Sequence, residues 1–168
     1  IKTCLQMSLS LTALLFTIGA AAAQEAVGYL TVCAVQADSL EDLDAGGFFG
    51  GGASDPYATI QVGGESCSSV VLKDKTTAVW NHCCSFGLVP ESEPVHVVVT
   101  DMDDHGDDDL IGLACTSVHS GTRWLDLIRH DSVGIVGSVQ LTVVFEYGAG
   151  SPSGSTPASV TRHWLSVN

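Results

Sequence analysis

From Gly28 to Tyr147 the apolar residues fall in short runs of strand length between turn-rich gaps, and no stretch holds a helical period through three turns. Such a chain cannot offer the apolar stripe of a packed helix, but it can offer the one-sided faces of a sheet. The expected strands are 29–35, 57–62, 67–72, 83–89, 95–100, 110–115, 123–127 and 138–147. Eight strands suit two packed sheets of four, with their connections gathered at the two ends. The expected fold class is therefore all-β, an eight-stranded antiparallel β-sandwich. Trp80 and Trp124, at strand ends, are expected as core aromatics.

Two of the gaps are unlike the rest. The segment 40–54 carries Asp42 and Asp44 ahead of Gly46-Gly47-Phe48-Phe49-Gly50-Gly51-Gly52, too flexible to form a core element. The segment 101–109 carries Asp at 101, 103, 104, 107, 108 and 109. Six carboxylates in nine residues repel one another in a tight turn unless water or a cation relieves them. Calcium suits such a loop, because it takes about six to eight oxygen ligands in irregular geometry, whereas magnesium prefers a stricter octahedron and more water. A solvated acidic turn is the plain alternative. Against it, Asp101-x-Asp103 leaves one strand and Asp109 enters the next, so the outer carboxylates can fold toward a common centre. An EF-hand loop fails. Gly112 stands where a bidentate Glu is needed, His105 takes another ligand position, and strands rather than helices flank the loop.

Charge narrows the partners. The chain has 19 acidic residues against 6 Lys and Arg, a formal charge of -13, which argues against nucleic acid as a partner because phosphates need cations. It equally argues against a simple basic-patch attraction to anionic lipid. Any anionic partner is then reached through a bound cation. Ahead of the sandwich, an apolar run over 9–18 followed by Gly19 and alanines at 20–23 has the form of a signal peptide over 1–23, which implies a secreted, extracellular protein. Met7 is a candidate start, which would leave Cys4 outside the fold.

In an oxidising compartment Cys33, Cys67, Cys83, Cys84 and Cys115 should largely pair. Five is odd, so one thiol is expected to be free or joined to another molecule. Adjacent Cys83 and Cys84 point to opposite faces of a strand and should have different partners. His82, Cys83 and Cys84 make a poor zinc site, since no C-x-x-C pair is present to bite the ion. Residues 24–147 are expected to form one domain, and 148–168 a tail rich in Gly, Ser and Pro.

Taken in order, Gly28-Tyr29-Leu30-Thr31-Val32, Leu40-x-x-Leu43-Asp44, Ser54-Asp55-Pro56-Tyr57, Trp80-Asn81, Thr100-Asp101-Met102-Asp103 and Asp109-Leu110-Ile111-Gly112 resemble the motifs of a C2 domain over 28–147. The resemblance implies five loop aspartates that coordinate calcium, here Asp44, Asp55, Asp101, Asp103 and Asp109. The first loop is longer than usual, so Asp42 is an alternative to Asp44. Only one strand precedes Asp55-Pro56-Tyr57 and the segment 137–145 closes the sandwich, which implies the type II strand order of the family. Within the family, the stretch from Gly63 to Trp80, Asp107-Asp108-Asp109 and His119-Ser120-Gly121 look like the C-terminal C2 domain of perforin. No part of the sequence corresponds to a pore-forming domain, so pore formation is not expected of this chain alone, and a pore-forming or other secreted partner is left open.

The implied function is calcium-dependent binding to a phospholipid membrane. In perforin-like domains aromatics at the third loop help enter the bilayer, but Asp104 and Gly106 stand there, so Phe48 and Phe49 are the expected membrane contacts, the alternative being that they tuck under their own loop. Each could contribute about 1.5–3 kcal/mol when buried in lipid. The alternative is a calcium-stabilised secreted module that binds protein or glycan and never touches lipid. An enzyme is not expected, for the chain has no G-x-S-x-G elbow, H-E-x-x-H pair or P-loop and its histidines are scattered. His105 alone sits among the acidic residues, whose charge favours its protonated form; the plain expectation is a surface histidine, with modulation of calcium binding by pH as the minor alternative.

Overall fold

The computed structural model describes residues 25–44, 52–104, 106–129 and 134–149. The expected leader, Phe48, Phe49, His105 and the tail from residue 150 onward lie outside them. Eight strands are present: β1 (Val27–Asp38), β2 (Pro56–Val62), β3 (Glu65–Ser68), β4 (Ala78–Pro90), β5 (Pro94–Asp101), β6 (Asp109–Ser117), β7 (Gly121–Ile128) and β8 (Ile135–Tyr147). They lie in the order β3-β2-β5-β6-β7-β8-β1-β4, every neighbouring pair antiparallel. The join between β6 and β7 is a single rung, Leu113 opposite Ile128, so the order divides there into two four-stranded sheets. The last strand returns beside the first, β8 against β1, as the type II order requires.

Alternation in the sequence builds the core. In β5, Val95, Val97 and Val99 face inward and lie opposite Val62, Ile60 and Ala58 of β2. In the other sheet, Val139, Leu141 and Val143 of β8 face inward opposite Ala37, Ala34 and Val32 of β1. Each fully buried Val, Leu or Ile contributes about 1.5–3 kcal/mol relative to exposure. Gly63 and Gly64 turn β2 into β3, with φ of 57° at Gly63 matching the positive φ that two-residue hairpins need.

Most strands run one to three residues beyond the expected bounds, and two boundaries differ by more. The third strand ends at Ser68, because the Ser69 hydroxyl accepts the Ala58 N–H at 2.9 Å and takes over what a ladder carbonyl would do. The fourth begins at Ala78, so Trp80-Asn81 lies inside it. The positive φ of 48° at Asn81 and the register shift opposite Ala34 to Gln36 mark a bulge there, which breaks the alternation visible in the sequence. Trp80 is buried as expected; Trp124 is 47% exposed on the outside of β7 and is not a core aromatic.

The cysteines follow the strand geometry. Cys83 bonds to Cys33 directly across the β1–β4 ladder, while Cys84, on the inner face, bonds to Cys67 of β3. Cys115 is also disulfide-bonded and no described cysteine is free, which corrects the expectation of an odd thiol. Disulfides are consistent with an extracellular or secreted protein. β3 and β4 are the two ends of the strand order, so Cys67–Cys84 spans the seam that backbone pairing leaves open.

Candidate functional site

The antiparallel weave brings the described parts of four connections, 39–44 with 52–55, 69–77, 102–104 with 106–108, and 129 with 134, to one end of the sandwich. Backbone bonds lace them together: Met102 N–H to the Asp55 carbonyl at 3.1 Å, Lys75 to Ser54 at 2.7 Å, Leu40 to Thr76 at 2.9 Å and Glu41 to Val136 at 2.9 Å. Ser54, fully buried, accepts the Leu43 N–H at 2.9 Å and donates to the Glu41 carbonyl at 3.3 Å, which clamps the two flanks of the first loop. Arg129 pairs with Glu41 at 2.9 Å from the far side.

Asp101 is the fixed point of the acidic group. It is 2% exposed, and its Oδ1 accepts the Asp55 N–H at 2.6 Å. It ends β5 opposite Pro56 of β2 on one side and Asp109 of β6 on the other. Sheet register therefore sets Asp109 level with Asp101, and Asp55, one residue before β2, meets Asp101 through the hydrogen bond from its N–H. Asp103 follows on the third loop, where Asp108 accepts its N–H at 3.2 Å and the Tyr57 hydroxyl at 2.9 Å. In the first loop the Asp44 N–H donates to Asp42 Oδ1 at 3.2 Å, which closes a local turn and brings the two residues together.

The electrostatics join the two loops. Burial, then the charges of Asp101, Asp103, Asp55 and Asp42, raise the Asp44 carboxyl above its usual range. Burial, then Asp109, Asp101, Asp108 and Asp104, raise Asp103 in the same way. Burial pushes Asp55 up too, but hydrogen bonds from Lys73 and the Asp74 N–H, with the Lys73 charge, outweigh it and hold Asp55 low. The Lys73 ammonium lies 2.5 Å from Asp55 and 3.5 Å from Asp104. Lys73 joins this acidic cluster without having stood out in the sequence, where its one signal was to be among only 6 Lys and Arg in so acidic a chain; Ser54 and Asp108, which lie within the sequence motifs, gain their roles as clamp and acceptor only here.

The donor set is all oxygen, irregular and at the rim of the fold, which fits a hard divalent cation of calcium's kind. Among the described residues these aspartates do not close to three oxygens within 4.8 Å of one another. The described trio whose ligand atoms do lie that close offers two sulfurs and a nitrogen, Cys67, His82 and Cys84, not the His82, Cys83 and Cys84 set considered from sequence, because Cys83 faces the other side of β4.

Comparison with known proteins gives the family. The C2 domain model matches residues 28–133. A C2 and GRAM domain-containing protein of Arabidopsis thaliana is 33% identical over 89 residues, which are 53% of this chain and 8% of that protein. Among solved structures, the first C2 domain of plant extended synaptotagmin 1 superposes with a TM-score of 0.63 at 18% identity, over 75% of this chain and 99% of that one. The calcium-bound tandem C2 domains of extended synaptotagmin 2 give 0.59 at 26% identity, over 71% of this chain and 45% of that one. Human GIVD cytosolic phospholipase A2 gives 0.57 at 21% identity, over 77% of this chain and 17% of that one. This chain belongs to the C2 domain family.

Proposed function

We propose that the chain is a secreted calcium-binding C2 domain that docks on phospholipid membranes when calcium is present. The observation that carries this reading is the shared electrostatic field of Asp44, Asp55, Asp101, Asp103 and Asp109 at one end of a protein whose net charge is -13. Those five carboxylates hold the ion. Asp44 serves in preference to Asp42, because its carboxyl lies in the field of Asp101, Asp103 and Asp55. Asp101 anchors the set from the end of β5, and Lys73 must release Asp55 for that carboxylate to serve as a ligand. Bound calcium supplies open coordination positions for lipid phosphate oxygens. Phe48 and Phe49, flanked by glycines in the first loop, enter the bilayer. The calcium-bound extended synaptotagmin 2 structure, at 26% identity, supports the reading. Perforin-like character rests on sequence motifs alone, and any pore would require a partner.

Liposome sedimentation with and without calcium, on wild type and on Asp101→Asn/Asp103→Asn, tests it. Binding is expected only with calcium and only in the wild type. Calcium-independent binding, unchanged in the double variant, would sink the proposal. A second reading, a calcium-stabilised module for protein or glycan, draws support from Tyr29, Leu88 and Val144, which are 57%, 57% and 42% exposed on the outer face of one sheet. A melting shift with calcium but no liposome binding would select it.

A further inference from the structure

We propose that Cys67, His82 and Cys84 form a redox-gated zinc site that spans the open seam of the sandwich, a disulfide in one state and a bis-thiolate, single-imidazole metal centre in the other. Three observations carry it. The three ligand atoms lie within 4.8 Å of one another, and His82 Nε2 is 3.3 Å from Cys67 Sγ. Tetrahedral zinc, with Zn–S near 2.3 Å and Zn–N near 2.0 Å, needs donors about 3.5–3.8 Å apart, so small side-chain motions suffice. His82 and Cys84 are two residues apart on the inward face of β4, and Cys67 reaches them from β3, with Cα atoms of the two cysteines 6.1 Å apart.

The location gives the site a purpose. β3 and β4 are the unpaired edges of the strand order, so the cross-link between Cys67 and Cys84 closes a gap that no backbone ladder bridges. Cys67 and His82 are only half-buried, which admits a reductant and an ion. The Cys33–Cys83 disulfide, by contrast, lies on the outer face within an existing ladder and is not part of the trio.

The chemistry balances as follows. A dithiol gives two electrons and two protons to the Cys67–Cys84 bond, becoming a disulfide itself and leaving two thiols. Zinc(II) then displaces the two thiol protons and takes two thiolates, His82 Nε2 and a water as the fourth ligand. The ion replaces the covalent staple between the same two strands; a small-molecule disulfide that takes two electrons from the thiolates and two protons from solvent reforms the Cys67–Cys84 bond, leaves as two thiols and expels the ion. None of this depends on the calcium reading.

Cobalt(II), which reports thiolate ligation by its charge-transfer band, tests the site on the full chain after reduction with excess dithiothreitol and anaerobic desalting. One equivalent is expected to bind to reduced wild type, to be displaced by zinc, and to be absent from the oxidised chain. His82→Ala should weaken binding by at least about tenfold, a loss that even an outer-shell partner can cause. Cys67→Ser/Cys84→Ser should abolish the band, and Cys33→Ser/Cys83→Ser should keep it. His82→Ala retains the disulfide, so its fold is verified in the oxidised state by circular dichroism. Absence of the band in reduced wild type overturns the proposal. So does a band undiminished in His82→Ala or persisting without Cys67 and Cys84, which is how adventitious ligation by an unfolded chain would look.

Discussion

Asp101 has two duties that substitution can separate. It is nearly fully buried, and its Oδ1 receives the Asp55 N–H. Asp101→Ala orphans that donor and should cost about 1–3 kcal/mol in urea unfolding. Asp101→Asn keeps an oxygen there and should unfold near the wild-type midpoint while losing calcium affinity by titration calorimetry. Asp103 illustrates the opposite balance. Its folded-state pKa is raised, so protonation favours the fold: that stability is fully present below the ordinary value of 3.8 and is lost as pH rises through the raised value. Asp44 acts in the same sense. Asp55, held low, contributes stability that is present above 3.8 and lost as pH falls through its depressed value. Without calcium, Asp103→Asn should therefore melt above wild type at pH 7, with the difference closing below about pH 3. A difference that stays constant with pH in scanning calorimetry would contradict this.

Among the elements, the join between β6 and β7 is the thinnest part of the fold and depends on close approach. A Cβ at Gly112 would stand 2.7 Å from Val136 Cγ2 and 3.0 Å from Leu127 Cβ. Gly112→Ala should cost about 1–3 kcal/mol by equilibrium unfolding, as overpacking does in a tight core. The same glycine sits just past the acidic loop in the motif Asp109-Leu110-Ile111-Gly112. Its smallness thus lets Leu127 and Val136 pack against β6, the strand whose start places Asp109 opposite Asp101 of β5.

For the whole molecule, the carboxylates at one end are a stability debt that a cation can relieve. At calcium concentrations about a hundredfold above Kd, unfolding free energy should rise by about 2.7 kcal/mol. The rise should vanish in Asp101→Asn/Asp103→Asn, as followed by thermal melting in chelator and in calcium. Added monovalent salt should also raise the calcium-free melting temperature, because it screens the same repulsion.

Period-two alternation, a property of each local run, was enough to place eight strands and an all-β sandwich. The density of aspartates in two gaps was enough to mark those gaps as the candidate cation-binding end. Alternation also required Cys83 and Cys84 to take different partners, since adjacent strand residues face opposite ways. What local pattern could not supply was register between distant strands. Only tertiary structure put Asp109 opposite Asp101, brought Lys73 onto Asp55, and assigned Cys33 to Cys83 and Cys67 to Cys84. It also exposed Trp124 and hid the start of β4 behind the Asn81 bulge. These outcomes depend on which faces pack across the sandwich, a long-range choice made by burial of the whole core rather than by any one segment.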